Sequence, residues 1–293
     1  MRALSDNFFA EFSPERGGKY GELIKRVRRD KDLDLEFRGN YINIYYQGHN
    51  ILLLKQSGAI EIDKAFTENG FHKLPRRISD IASYLKLLPC IKDNVSCHAQ
   101  ENDAGNMISK QNRELEFEQL LIRANNRESR NNSEYIVIDR QYEVLNEGKK
   151  DRWDLIAMRY PSDRRPPKGY LSIIEVKYGS KFVNEEIVKQ VERYGHYYRI
   201  HKQGIRSDME KVFKQKLELG LITRTKERLD WFKELNLVED TELTEIILYL
   251  IDCNPRKIKE LEKTAKPNFE GKTHIASGGL ALWQANLRGF GTK

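Results

Sequence analysis

An acidic and a basic side chain stand two residues apart on an apolar segment near the middle of the sequence. Residues 169–177 read Gly-Tyr-Leu-Ser-Ile-Ile-Glu-Val-Lys. Because strand side chains alternate between two faces, Glu175 and Lys177 share one face and Val176 points to the other. A carboxylate and an ammonium at the end of a mostly buried strand are costly to desolvate, which favours a functional role for the pair.

A second carboxylate precedes this strand. Residues 152–157, Arg-Trp-Asp-Leu-Ile-Ala, predict a strand that carries Asp154. The polar turn at residues 161–169 favours a hairpin between the two strands, which would bring Asp154 close to Glu175 at one end of a sheet. Two converging carboxylates repel each other unless a cation lies between them, and an all-oxygen site with water suits Mg²⁺ or Mn²⁺.

Helices are predicted on both sides of these strands. Downstream, Asn184 can cap a helix that runs to about residue 201, and it places Gln190 and Tyr194 four residues apart on one face. Upstream, residues 113–125 predict a helix with an apolar stripe centred on Phe117 and Leu121. Three acids of that helix are candidates for the site, in the order of preference Glu114, then Glu118, with Glu116 also open.

Taken in order, these residues resemble the PD-(D/E)XK nuclease superfamily, and within it the RecB-like group. The matching pattern is a helix glutamate, Asp154, Glu175-x-Lys177 and Gln190-x-x-x-Tyr194, over about residues 110–200. The sequence departs from a typical member because no proline precedes Asp154 and because residues 202–242 predict a long helical insertion. The resemblance implies a Mg²⁺-dependent (or Mn²⁺-dependent) nuclease, a hydrolase that cleaves phosphodiester bonds of DNA.

The resemblance also implies a role for each matching residue. Asp154 and Glu175 would bind the metal, with the main-chain carbonyl of Val176 as a further ligand. Lys177 would orient or help to deprotonate the attacking water and stabilise charge that develops on the phosphate. Gln190, Tyr194 and the helix acid, Glu114 or alternatively Glu118, would order the site and the strand being cut.

The predicted fold class is α/β (α+β), with two domains. Residues 1–107 predict a smaller domain that contains an antiparallel β-meander over residues 33–63, because strand-like segments alternate there with turn residues at hairpin spacing. A helix is predicted to end before Pro89, and the polar residues 92–109 predict a linker. Residues 108–293 predict a mixed sheet flanked by helices, as in PD-(D/E)XK nucleases. The N-terminal domain is a candidate for binding the substrate or a partner.

Charge favours DNA as the partner. The net charge is +7, and the excess of basic residues is largest between residues 106 and 205. Four basic side chains near the site are candidates for contacting DNA phosphates, although a solvated basic face remains the alternative: Lys181, Lys189, Arg193 and Arg199.

Other compositional features bear on location. No apolar run approaches the ~20 residues of a spanning helix, so no membrane association is expected. Three scattered cysteines without paired spacing favour a reducing, cytoplasmic location. Apolar stripes in residues 202–242 would pack on the nuclease core or form a homodimer contact.

Two other functions stay open at this stage. The first is a nuclease fold that has lost its chemistry and serves as a DNA-binding or assembly module. The second is an ordinary α/β domain with a chance Glu-x-Lys triplet. The intact set of two acids and a lysine favours the enzyme, and no glycine-rich phosphate loop or Ser-His-Asp arrangement supports a different chemistry.

Overall fold

A computed structural model describes the chain except for residues 69, 103–107, 129–132, 147–148, 162–166, 239–241, 266, 270 and 291–293. Contacts divide the chain into two compact units. The first contains Met1–Arg123 and Lys211–Ile222, and the second contains Ala124–Glu210 and Thr223–Lys293. The division follows Arg123, and residues 202–242 contribute to both units.

The sheet of the first unit is the predicted antiparallel meander. Each of its strands pairs with the next along the chain, and apolar side chains such as Ile42, Ile44 and Leu54 are buried. The strands are β1 (Leu33–Phe37), β2 (Tyr41–Tyr46), β3 (His49–Lys55), β4 (Ile60–Glu61) and β5 (Arg77–Ile78). The helices are α1 (Asp6–Ala10), α2 (Gly21–Arg29), α3 (Ala65–Glu68), α4 (Ile81–Asn102) and α5 (Ile108–Ile122).

Helix α4 continues through Pro89, where the sequence predicts its end and a following linker. Proline inside a helix removes one hydrogen bond and is unfavourable by about 3 kcal/mol. Tyr84, Leu88, Ile91 and Val95 are all buried and recur at helical spacing on both sides of the proline. Burial of this stripe compensates for the proline, so the linker expected at residues 92–109 is helical to residue 102.

Helix α5 belongs to the first unit, because its side chains contact the turn between β2 and β3. Gln119 accepts a hydrogen bond from the Gly48 N–H at 2.6 Å and donates one to the Asp32 carbonyl at 2.6 Å. A Cβ atom at Gly48 would lie 2.6 Å from the main chain of Leu115, so only glycine permits this approach.

The second unit contains the predicted mixed sheet with flanking helices. Strands β6, β7 and β8 form an antiparallel meander, and β10 and β11 continue the sheet in parallel with β8. The strands are β6 (Tyr135–Asn146), β7 (Lys149–Arg159), β8 (Lys168–Tyr178), β9 (Asn236–Leu237), β10 (Glu245–Ile251), β11 (Lys272–Ala276) and β12 (Arg288–Gly289). The helices are α6 (Glu185–Glu218), α7 (Lys226–Lys233) and α8 (Pro255–Thr264).

Helix α6 is 34 residues long, whereas the sequence predicts an end near residue 201. Its later part continues because Met209, Val212 and Phe213 are buried within the chain itself. The segment Lys211–Ile222 belongs to the first unit, where the buried Lys216 ammonium lies 2.7 Å from the buried Glu36 carboxylate. Among the described helices, none is both long and apolar enough to cross a bilayer.

Candidate metal centre and active site

The register of β7 and β8 makes Asp154 and Glu175 neighbours. Leu155 pairs with Ile174 across the two antiparallel strands, so the next residues toward this end are Asp154 and Glu175. The Val176 N–H donates a hydrogen bond to Asp154 Oδ2 at 2.8 Å. Both carboxyl groups are buried, with exposed fractions of 9% for Asp154 and 1% for Glu175. The expected convergence of the two acids is therefore present.

Both carboxylate oxygens of Glu175 accept hydrogen bonds. The Lys177 ammonium donates to Oε1, and Gln190 Nε2 donates to the same oxygen at 2.7 Å. The Tyr194 hydroxyl lies 2.9 Å from Oε2. Three residues singled out from the sequence thus meet at one carboxylate.

Helix α6 fixes the orientation of Gln190 and Tyr194. Asn184 caps its start by accepting a hydrogen bond from the Glu186 N–H at 3.0 Å, as the sequence predicts. One turn apart, Gln190 Nε2 donates to the Tyr194 hydroxyl at 2.6 Å. The hydroxyl has a single proton, which it can donate either to Glu175 or to the Arg152 carbonyl 3.0 Å away. Tyr194 therefore connects the helix, β7 and the Glu175 carboxylate.

Burial and mutual repulsion make the two carboxyl groups hard to ionise together. Burial first, and then the charge of Asp154, raise the pKa of Glu175 to about 8, against the opposing charge of Lys177. Burial likewise raises the pKa of Asp154, while Lys177 and the Val176 N–H oppose the shift. Burial and the Glu175 charge raise the pKa of the Tyr194 phenol. A cation bound between the acids would remove this penalty.

The candidate helix acids lie outside the strands that carry Asp154 and Glu175. Glu114 and Glu118 lie on α5, which packs in the first unit, and Glu118 is buried there. Among the described residues, no group of three or more Asp, Glu, His or Cys side chains could hold a metal ion. The two carboxylates that β7 and β8 bring together are Asp154 and Glu175.

The four basic candidates for contacting DNA are all exposed. Lys189 lies 2.8 Å from Glu186, and Arg193 lies 3.3 Å from Asp151. Arg199 contacts a ring nitrogen of His196 at 3.2 Å, and Lys181 lies in the short turn that follows β8. Exposed ion pairs contribute ~0–1 kcal/mol, so phosphates could replace these partners at little cost.

Two features near the site were not predicted from the sequence. Trp153, next to Asp154, is fully buried and packs against the rings of Tyr194 and Tyr197, each at 5.8 Å between centroids. The sequence signal that could have identified Trp153 is its position next to Asp154 on a predicted strand. A further buried carboxylate, Glu245 on β10, lies on the opposite face of the sheet from Glu175, because β10 pairs Glu245 with Ser172 and Leu248 with Glu175.

Glu245 has structural partners of its own. Its carboxylate accepts hydrogen bonds from the Tyr135 hydroxyl at 2.8 Å and from Gln284 at 2.9 Å. The Arg159 guanidinium lies 3.0 Å away and balances its charge. These contacts tie the C-terminal segment to the sheet, so Glu245 is a part of the core rather than of the Asp154–Glu175 cluster.

Comparison with known proteins finds no matching family model, no matching curated protein and no matching solved structure. The geometry of Asp154, Glu175 and Lys177 is accordingly the basis for the proposal that follows.

Proposed function

We propose that this protein is a metal-dependent deoxyribonuclease that hydrolyses DNA phosphodiester bonds with a PD-(D/E)XK-type site. One observation carries the proposal. Asp154 and Glu175 are adjacent across two strands, and Lys177 reaches the Glu175 carboxylate from the same strand. Two acids in this arrangement can hold a metal ion for phosphodiester hydrolysis, and the lysine can stabilise charge on the phosphate.

The residues present fit a hard divalent cation. Asp154, Glu175 and the main-chain carbonyl of Val176 would hold Mg²⁺ or Mn²⁺, because these ions prefer oxygen ligands. The raised pKa values of the two acids support this assignment, because burial disfavours their ionised forms and a bound cation would stabilise those forms. The bound ion would supply positive charge next to the phosphate.

Lys177 would contact the substrate once the Glu175 carboxylate binds the cation. Its ammonium now donates to Glu175 Oε1, and a metal at that carboxylate would replace this interaction. The ammonium could then hold the attacking water near the phosphorus and stabilise the charge on the phosphate oxygens. Gln190 and Tyr194 would keep the Glu175 carboxylate in place through their hydrogen bonds.

One observation favours a second candidate function. Among the described residues, no third carboxylate joins Asp154 and Glu175. A protein with this site and exposed basic side chains on α6 could bind DNA without cutting it. The alternative is therefore a catalytically inactive nuclease fold that acts as a DNA-binding or assembly module.

A cleavage assay separates the two candidates. Purified protein would be incubated with linear, circular and single-stranded DNA in the presence of Mg²⁺, Mn²⁺ or EDTA. We expect cleavage of at least one DNA form with either metal and none in EDTA. DNA binding without cleavage under every metal condition would support the inactive module, and cleavage that persists in EDTA would contradict a metal-dependent nuclease.

A further inference from the structure

Gln141 on β6 has an unusual backbone conformation at a position next to the site. Its φ angle is +52°, in the left-handed region. Arg140 and Tyr142, its chain neighbours, pair with Leu155 and Trp153 on β7. Gln141 therefore stands directly across from Asp154.

This conformation is unfavourable for glutamine in a strand. Left-handed backbone is common for glycine and tolerated by asparagine and aspartate, whose short side chains can bond locally. Gln47, at φ +48°, forms the two-residue turn with Gly48 between β2 and β3, where a hairpin requires left-handed backbone. Gln141 makes no such turn, because both of its neighbours are paired with β7.

A second irregularity lies just before it. The register of β6 against β7 shifts between Val137 and Asp139, so Ile138 is an extra residue in the strand. Bulges and strained residues concentrate at functional sites, where they re-aim a side chain. Both distortions of β6 fall within four residues of one another, next to the position opposite Asp154.

A neutral amide is chemically suited to this position. Asp154 and Glu175 bring two carboxyl groups to the site. A neutral amide across from Asp154 adds no further positive charge that would compete with a metal ion for these acids. The half-exposed glutamine can donate a hydrogen bond to a phosphate oxygen without cancelling the charge of the acids.

We propose that Gln141 is a substrate-binding residue whose amide N–H donates to a non-bridging oxygen of the DNA phosphate beside Asp154. The left-handed backbone holds the side chain for this contact. This assignment rests on the proposed function insofar as the ligand is DNA.

The test compares Gln141→Gly, Gln141→Asn and the matched control Gln47→Gly. Glycine removes the side chain and adopts left-handed backbone without strain. Neither Gln141→Gly nor Gln47→Gly should therefore lower the melting temperature. We expect Gln141→Gly to weaken binding of labelled DNA in EDTA by roughly 10-fold, because a hydrogen bond to a charged group is lost. The KM for cleavage should rise by a similar factor. Gln141→Asn should recover part of the affinity, and Gln47→Gly should bind DNA as the wild type does.

The outcomes separate this inference from the nuclease proposal. Wild-type affinity and KM in Gln141→Gly would overturn the role of Gln141, even if the protein is a nuclease. Equal losses in Gln47→Gly, or a lowered melting temperature in Gln141→Gly that accounts for the weaker binding, would also overturn it. If wild-type protein binds DNA but never cleaves it, the nuclease proposal fails, and a selective binding loss in Gln141→Gly still supports the contact.

Discussion

Lys177 donates a hydrogen bond from its ammonium to Glu175 Oε1, the same oxygen that accepts from Gln190. The strand thus holds the Lys177 ammonium against the Glu175 carboxyl group, and both side chains are largely buried. In the proposed mechanism this lysine must change partners, from Glu175 to the substrate. Its removal should consequently affect the reaction more than the binding of metal.

We expect Lys177→Ala to lower the cleavage rate on the order of 10²-fold or more, because a group that stabilises charge in the transition state is lost. Calorimetric titration with Mn²⁺ should still detect binding, since the carboxylates remain. Lys168→Ala is the matched control, because Lys168 is an exposed lysine at the other end of the same strand. Equal cleavage by Lys177→Ala and wild type would contradict the assigned role.

Asp154→Asn and Glu175→Gln should each abolish cleavage, because a neutral amide supplies no charge to hold the metal. Binding of DNA in EDTA should persist or tighten, since repulsion between the carboxylate and the phosphate decreases. Gel-shift and cleavage assays on the same preparations measure both effects. The exposed Glu227→Gln on α7 serves as the control and should behave as the wild type in both assays.

Stability should depend on pH through Glu175. Its pKa is raised to about 8 by burial and by the charge of Asp154, whereas in an unfolded chain a glutamate has a pKa of about 4.3. Between these values the folded protein keeps a proton that the unfolded chain releases, so the free energy of unfolding falls as pH rises through this window.

Glu175→Gln should remove this dependence. In urea unfolding with EDTA, the variant and the wild type should have similar free energies of unfolding at about pH 5. At about pH 9 the variant should have the larger free energy of unfolding. A wild-type stability that increases steadily over this range would show that the Glu175 carboxyl is not difficult to ionise.

Lys216 and Glu36 should stabilise the first unit as a pair. Lys216→Ala removes the ammonium 2.7 Å from the buried Glu36 carboxylate, and the Arg38 guanidinium is more distant at 3.9 Å. Loss of one partner of a buried ion pair costs about 3–5 kcal/mol. In urea unfolding, the double variant Glu36→Gln with Lys216→Met should recover much of the lost free energy of unfolding. The control Lys211→Ala, at an exposed position of the same helix, should change that free energy little.

The strands that carry the candidate site could be predicted because their side-chain patterns are local. Alternation places Glu175 and Lys177 on one face, and the polar turn at residues 161–169 indicates the hairpin that pairs their strand with Asp154. The cap at Asn184 also follows from a local signal. Helix α8 shows the same kind of signal, Asn254 followed by Pro255, and could have been predicted from it.

The packing partners of the helices could not be predicted in the same way. An apolar stripe on residues 113–125 indicates a buried face but does not specify the sheet that covers it. The choice depends on the contact between Gln119 and Gly48, two residues far apart in sequence. For this reason the sequence assigns Glu114 and Glu118 to the nuclease site, and the structure groups them with the first unit.

The return of Lys211–Ile222 to the first unit has a consequence for synthesis on the ribosome. Domains usually fold as units in the order in which they are translated. Here the N-terminal unit stays incomplete until residue 222 has emerged, after most of the second unit's central strands, β6 to β8, have already been made. The Glu36 carboxylate therefore lacks its Lys216 partner until that stage of synthesis.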